Sequence, residues 1–377
     1  MAQEKIFAII VIFLIVGPTC IALSVNSDYY EALADINAKT AANILVDGYN
    51  IGNFQTNEVL TQRYFIHGME KQYDIAVFGS SRAMQMYTLN FPSMSLVNHA
   101  ISAGRIEDTI AYTQMYIENE KLPKIVIIGV DVWTTQNGHP HNGLEEVYMR
   151  GMEKLNPFPH PITSSEKSVV DIFQKLNYIR QILSIPNVRA LIFDDFTYYP
   201  TDERKRVHSS TIKLVDGWAY PVGIEKDLDE KVKNRALASY RFPELFQPEE
   251  AKKFEAYLQR LHGLNVTPIL FCAPYHPTVY SGFMNISEYL NILTGITTYL
   301  HELSNENKIL LIGAYDPSTY NLTDTDFYDG HHPTPQAVAK IIFAHSHELY
   351  DLLYTDIYPT YEEYATALAE SQAELLS

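Results

Sequence analysis

The run from Lys124 to Val130, Lys-Ile-Val-Ile-Ile-Gly-Val, constrains the fold more than any other stretch. Its β-branched residues follow one another without polar alternation. That pattern marks a strand with apolar neighbours on both faces. Four further segments read as strands: Tyr73 to Gly79, Leu96 to Ala100, Val266 to Ala273 and Lys308 to Ala314. Helical stretches separate them, at Ile106 to Tyr116, Pro248 to Leu261, Ile286 to Ser304 and Pro335 to Leu353. Thr334 is placed to cap the last of these, and Pro335 suits a first helical position. Alternating strands and helices predict an α/β fold: a mostly parallel five-stranded sheet with helices on both faces.

The rest of the chain is organised around that core. Ile6 to Val25 is an uncharged run of 20 residues, close to the ~20 needed to span a bilayer. It predicts an N-terminal transmembrane helix, residues 1–25, left uncleaved as a signal anchor. A cleaved signal peptide is the alternative, and both place the body outside the cytoplasm. Residues 26–72 read as a stalk or leading helix, 73–133 as the first part of the core and 249–355 as the second. Residues 134–248 lie between them, rich in Pro, Asn, His and aromatic residues, with one amphipathic helix at Val169 to Ile185. The stretch is too long for a loop, so it reads as an insertion, a lid or substrate-facing subdomain. Residues 356–377 form a helical tail, signalled by Thr360-Tyr361-Glu362-Glu363.

Charge and cysteine usage remove some functions. Formal net charge is 28 − 45 = −17, and nucleic-acid affinity rests on Lys and Arg, so no nucleic-acid partner is expected. Cys20 and Cys272 are the two cysteines, with no zinc spacing and no expected disulfide. His139 and His141 flank Pro140 without a third placed ligand, so no metal site is expected.

In a doubly wound sheet, ligands bind beyond the carboxyl ends of the strands. Several polar signals fall there: Gly79-Ser80-Ser81, Gly104, Asp131, Tyr275-His276 and Asp329-Gly330-His331-His332-Pro333. A serine just past a strand, at the start of a helix, is exposed to substrate, and backbone N–H groups at that turn can meet an oxyanion. Ser81 is the candidate nucleophile, and Ser80 suits a supporting, substrate-side role. A carboxylate three residues before an imidazole can fix its tautomer and leave Nε2 facing the serine. Asp329 and His332 are that pair, with His331 as the competing imidazole. Each motif also has a plainer reading. Gly79-Ser80-Ser81 serves equally as a turn and cap, and His331-His332-Pro333 as a surface turn or a metal-ligand pair. His276 lies at the same edge as a substrate contact or a loop histidine. Trp133 is a candidate for stacking on a sugar ring, or for core packing.

Together these residues resemble blocks I, II and V of the SGNH (GDSL-like) hydrolase superfamily. The resemblance covers Tyr73 to Trp133 and Val266 to Leu353. It implies an SGNH/flavodoxin-like sheet, with Ser81 as nucleophile, Ser80 where Asp is usual, Gly104 as oxyanion-hole glycine, and Asp329 and His332 completing the triad. The Gly-Ser-Ser form and the N-terminal anchor look most like the membrane-anchored branch that serves teichoic-acid D-alanylation and alginate O-acetylation. That implies an esterase or O-acyltransferase acting, without a cofactor, on acyl groups of a cell-surface polymer, alongside a membrane-bound acyltransferase. One position departs from the pattern. The superfamily's Gly-x-Asn-Asp block supplies an Asn donor to the oxyanion, and here Gly129-Val130-Asp131 puts a carboxylate in its place.

Overall fold

The computed structural model describes residues 34–52, 54, 57–134, 136, 138–155, 199–202, 212–219 and 248–376. The strands among them are β1 (Asn50–Gly52), β2 (Ile75–Phe78), β3 (Leu96–Asn98), β4 (Ile125–Gly129), β5 (Tyr199–Thr201), β6 (Ile212–Leu214), β7 (Gly217–Ala219), β8 (Thr267–Cys272) and β9 (Leu310–Gly313). All five apolar runs singled out in the sequence are strands of one parallel sheet, ordered β3-β2-β4-β8-β9. Counted within that sheet the order is 2-1-3-4-5, so it reverses direction between β2 and β4. The central strands are buried along almost their whole length, as an unbroken apolar sequence requires. β9 forms an edge, and of its residues only Ile312 is buried. Register aligns Phe78 with Ile128, and Cys272 with Gly313, so the carboxyl ends come out at one rim.

The expected helices are present as Ile106–Glu118, Pro248–Gly263, Ser287–Asn307, Pro335–Ala344 and the tail Tyr361–Leu376. Thr334 caps the fourth, its hydroxyl accepting from Ala337 N at 3.3 Å. The helical path expected to Leu353 is broken only at His345, and it resumes over Ser346–Leu349. The His345 ring is drawn aside, where its Nε2 accepts from the Tyr320 hydroxyl at 2.8 Å. A wide turn over Tyr350–Tyr354 follows, and Tyr354 stacks on Tyr364 of the tail at 4.3 Å. The tail is therefore packed on the body, with Tyr364 and Leu368 fully buried.

Two organisational readings become more specific in the described residues. Of the stalk or leading helix read for residues 26–72, the described part opens on a helix. That helix, at 34–46, buries Ala38, Ala41, Ala42 and Leu45 in the core. A second helix, Glu58–Gly68, is capped by Asn57. The insertion, where described, is built into the same body. Helix Glu145–Met152 lies on Ile106–Glu118, with Gly151 against Ile110 and Arg150 paired to Glu118 at 2.8 Å. β1, β5, β6 and β7 form a small antiparallel sheet ordered β5-β1-β6-β7. Lys213 fastens its hairpin to the main sheet. This buried side chain donates to the carbonyls of Asn98, Leu214 and Gly217 at 3.2, 2.6 and 3.1 Å. Three acceptors match the three donors of an ammonium. The amphipathic Val169 to Ile185 stretch and the apolar Ile6 to Val25 stretch lie outside the described residues. Among the described residues no helix is long and apolar enough to cross a membrane.

Candidate active site

Three glycines let the loops converge at the rim. Gly79 ends β2 with φ +141°, and a Cβ there would lie 2.9 Å from Gly129 Cα. Gly104 sits against Gly79 in turn, where a Cβ would lie 2.2 Å from the Gly79 carbonyl oxygen. Only a residue without a side chain fits so close a backbone approach. Gly104→Ala is therefore expected to destabilise the fold by about 1–3 kcal/mol, as overpacking does. Urea unfolding reads this as a lower midpoint at unchanged slope. A wild-type midpoint would mean that the two loops do not meet this closely.

Beyond Gly79 the chain makes a single 3-10 turn, Ser81–Ala83, in place of the helix start expected there. Ser80 is 1% exposed and caps that turn, its hydroxyl accepting from Arg82 N at 3.2 Å. The structure thus shows it supporting the turn. Ser81 is half-buried and accessible.

The second half of the site is a closed loop between β9 and helix Pro335–Ala344. Tyr328 N donates to His332 O and Thr334 N to Asp326 O, each at 2.9 Å. This hairpin-like closure turns Asp329 and His332 toward each other. His332 Nδ1 donates to Asp329 Oδ2 at 2.6 Å, and the Ser81 hydroxyl donates to His332 Nε2 at 2.7 Å. The expected triad thus lines up across 251 residues of chain. Asp329 Oδ1 also accepts from His331 N and His332 N, both at 2.9 Å. Burial alone would raise the Asp329 carboxyl. The His332 hydrogen bond, the imidazole charges and the His331 N–H outweigh it and hold the carboxyl well below the usual range. His331 is the losing candidate. Burial and the charge of His332 push its imidazole down to about 3, which keeps it neutral. Asp329, His331 and His332 present ligand atoms within 4.8 Å of one another, a set able to hold a cation. In the structure both His332 nitrogens are engaged, Nδ1 with Asp329 and Nε2 with Ser81.

The oxyanion side differs from expectation. Gly104 N donates to Ile101 O at 3.0 Å, so its N–H is engaged within its own loop. Asp131 is buried and turned to Arg82, with Arg82 Nη1 donating to Oδ1 at 2.8 Å. Its carboxylate is paired with that guanidinium, and it contributes no donor. Ser81 N has no acceptor among the described residues and remains open to an oxyanion. Trp133 is half-buried and donates Nε1 to Gly104 O at 3.3 Å, which seats the indole against the Gly104 loop. His276 is 3% exposed. Its Nδ1 accepts from Thr278 N at 3.1 Å, its Nε2 faces Asp324 at 3.5 Å, and its backbone N–H donates to Gly330 O. It ties the loop that carries Asp329 and His332 to the start of helix Pro277–Met284. In the insertion His141 is turned to Asp108 at 2.9 Å.

Sequence reasoning passed over Arg82. Its one visible signal is a cation directly after the candidate nucleophile in an apolar stretch. Compared with known proteins, the chain matches no family model, no curated protein and no solved structure.

Proposed function

We propose that the protein is an SGNH-type serine esterase or O-acyltransferase acting on ester-linked acyl groups of a cell-surface polymer. In this reading the apolar segment 6–25 tethers it to a membrane, and the body works outside the cytoplasm. The observation that carries the proposal is the unbroken line from Ser81 Oγ through His332 to Asp329, at 2.7 and 2.6 Å. The 2-1-3-4-5 sheet supports it as well, being the flavodoxin-like order that the SGNH resemblance implies. Fold alone names no chemistry.

In the reaction, His332 Nε2 takes the Ser81 proton as Oγ attacks the acyl carbonyl. Asp329 stays ionised and holds the imidazolium. The tetrahedral oxyanion meets the Ser81 N–H. Collapse of the intermediate expels the first alcohol, which takes the proton from His332, and leaves the acyl group on Ser81. A sugar hydroxyl or water then attacks the acyl carbonyl and gives its proton to His332; the acyl–Oγ bond breaks, His332 returns the proton to Ser81 Oγ, and the new ester or free acid departs. Acetyl is the expected group, and the half-buried Trp133 gives a sugar ring a face to lie against. A membrane-bound acyltransferase is the expected partner, and the chemistry draws on no cofactor.

One observation favours a second reading, a catalytically inactive protein that binds carbohydrate or a partner in envelope acylation. Of the three oxyanion donors that the family pattern calls for, only Ser81 N is open. Fluorophosphonate labelling separates the two readings. The expected result is one adduct, mapped by peptide mass to Ser81. A folded protein that takes up no label favours the binding module.

A further inference from the structure

Arg82 follows the nucleophile directly and is 2% exposed. A buried guanidinium needs partners for its charge and its donors, and here they come from three other loops. Nη1 donates to Asp131 Oδ1 at 2.8 Å, beyond β4. Nη2 donates to the Ala273 carbonyl, beyond β8. Nε donates to the His331 carbonyl at 3.3 Å, within the acid–base loop. The guanidinium stacks on the Tyr275 ring at 3.9 Å.

We propose that Arg82 is the positioning residue that sets the approach of His332 to Ser81, with Asp131 kept as its counter-ion where the family pattern has an oxyanion donor. The inference rests on the serine acyl-transfer reading. The geometry behind it is short-range. One peptide link separates Arg82 from Ser81, and another separates the His331 carbonyl from His332. Tying Arg82 Nε to that carbonyl clamps both ends of the 2.7 Å serine–imidazole hydrogen bond. The Asp131 and Ala273 contacts stop the guanidinium from turning. Its planar fork serves three acceptors at once, and a lysine ammonium on a flexible stem cannot reproduce that arrangement.

Asp131→Asn gives opposite answers under two ideas. If residue 131 stands at the oxyanion, the amide restores a donor and the rate rises. If Asp131 serves Arg82, the amide leaves the guanidinium unbalanced and the rate falls. Arg82→Ala would strand a buried carboxylate and threaten folding. The better companions are Arg82→Lys, which keeps the charge, and the neutral pair Arg82→Met with Asp131→Asn.

The experiment uses the full chain. It measures hydrolysis of p-nitrophenyl acetate, thermal unfolding, and the downfield NMR proton of the 2.6 Å His332–Asp329 hydrogen bond. Each variant is expected to lose about 10²-fold in kcat, the cost of a small misplacement at the reacting groups. KM should stay within about threefold, since the change is in the transition state. The downfield proton should shift or broaden in each. A faster Asp131→Asn, or a neutral pair at wild-type kcat, overturns the proposal. Should the wild type prove inactive, the NMR proton still decides. If it is displaced in the variants, Arg82 positions the histidine loop and only the acyl-transfer reading falls. If it is unmoved, or missing from the wild type, the positioning role falls.

Discussion

Ser81→Ala is expected to lower turnover of an activated acetyl ester by roughly 10³–10⁴-fold while the chain stays folded. In a serine hydrolase with a complete oxyanion hole, loss of the nucleophile costs about 10⁶-fold. A two-donor oxyanion hole that keeps only one donor loses roughly 10²–10³ in rate, which leaves roughly 10³–10⁴ for the nucleophile to account for. Here Gly104 N is engaged with Ile101 and Asp131 with Arg82. The wild type therefore starts lower and has less to lose. Ser81 is half-buried on a one-turn helix, so removing its hydroxyl leaves the core packing intact. Steady-state hydrolysis with matched circular dichroism checks this. A variant as fast as the wild type would move the chemistry away from Ser81.

Asp329→Asn is expected to lower kcat by roughly 10²–10³-fold with little change in KM. In serine proteases loss of the acid costs less than loss of the nucleophile, and it acts by freeing the wrong imidazole tautomer. An Asn amide at 329 can present N–H to His332 Nδ1, which places the ring proton on Nε2, where it blocks proton transfer from Ser81. The same substitution has a sign-definite effect on stability. The Asp329 carboxyl is depressed in the folded state. Its contribution is complete above the ordinary carboxylate pKa of about 4 and is lost as pH falls through the lower folded value. The melting-temperature gap between wild type and Asp329→Asn should be open at neutral pH and close on acidification below about pH 4. A gap that widens toward acid would show that these donors do not hold the carboxyl.

The main sheet was legible because its strands are apolar on both faces, a pattern that survives without knowledge of partners. Lys124 to Val130 could be placed on that ground alone. The triad was legible for a related reason. Asp329 and His332 sit within one loop, and Ser81 follows a strand whose end is marked by Gly79. What stayed hidden depends on contacts that no local window contains. β1 and β5 to β7 span three residues each, and β1 pairs with strands more than a hundred positions away. The burial of Arg82 makes sense only with Asp131, Ala273 and His331 around it. Gly104 was read as an amide donor, yet its lack of a side chain is what the Gly79 carbonyl requires. His276 read as a substrate contact or a loop histidine at the rim, and nothing in its neighbours shows that its Nδ1 caps the helix Pro277–Met284.

Trp133, one of two tryptophans in the chain, donates its indole proton to Gly104, which leans in turn on the carbonyl of Gly79. A chromophore fixed there makes ultraviolet emission an intrinsic gauge of events at the serine. Arrival of an acyl group, or of a sugar against the ring, would alter the polarity around the indole without any attached dye. Stopped-flow fluorescence could then time acyl loading and release as separate phases.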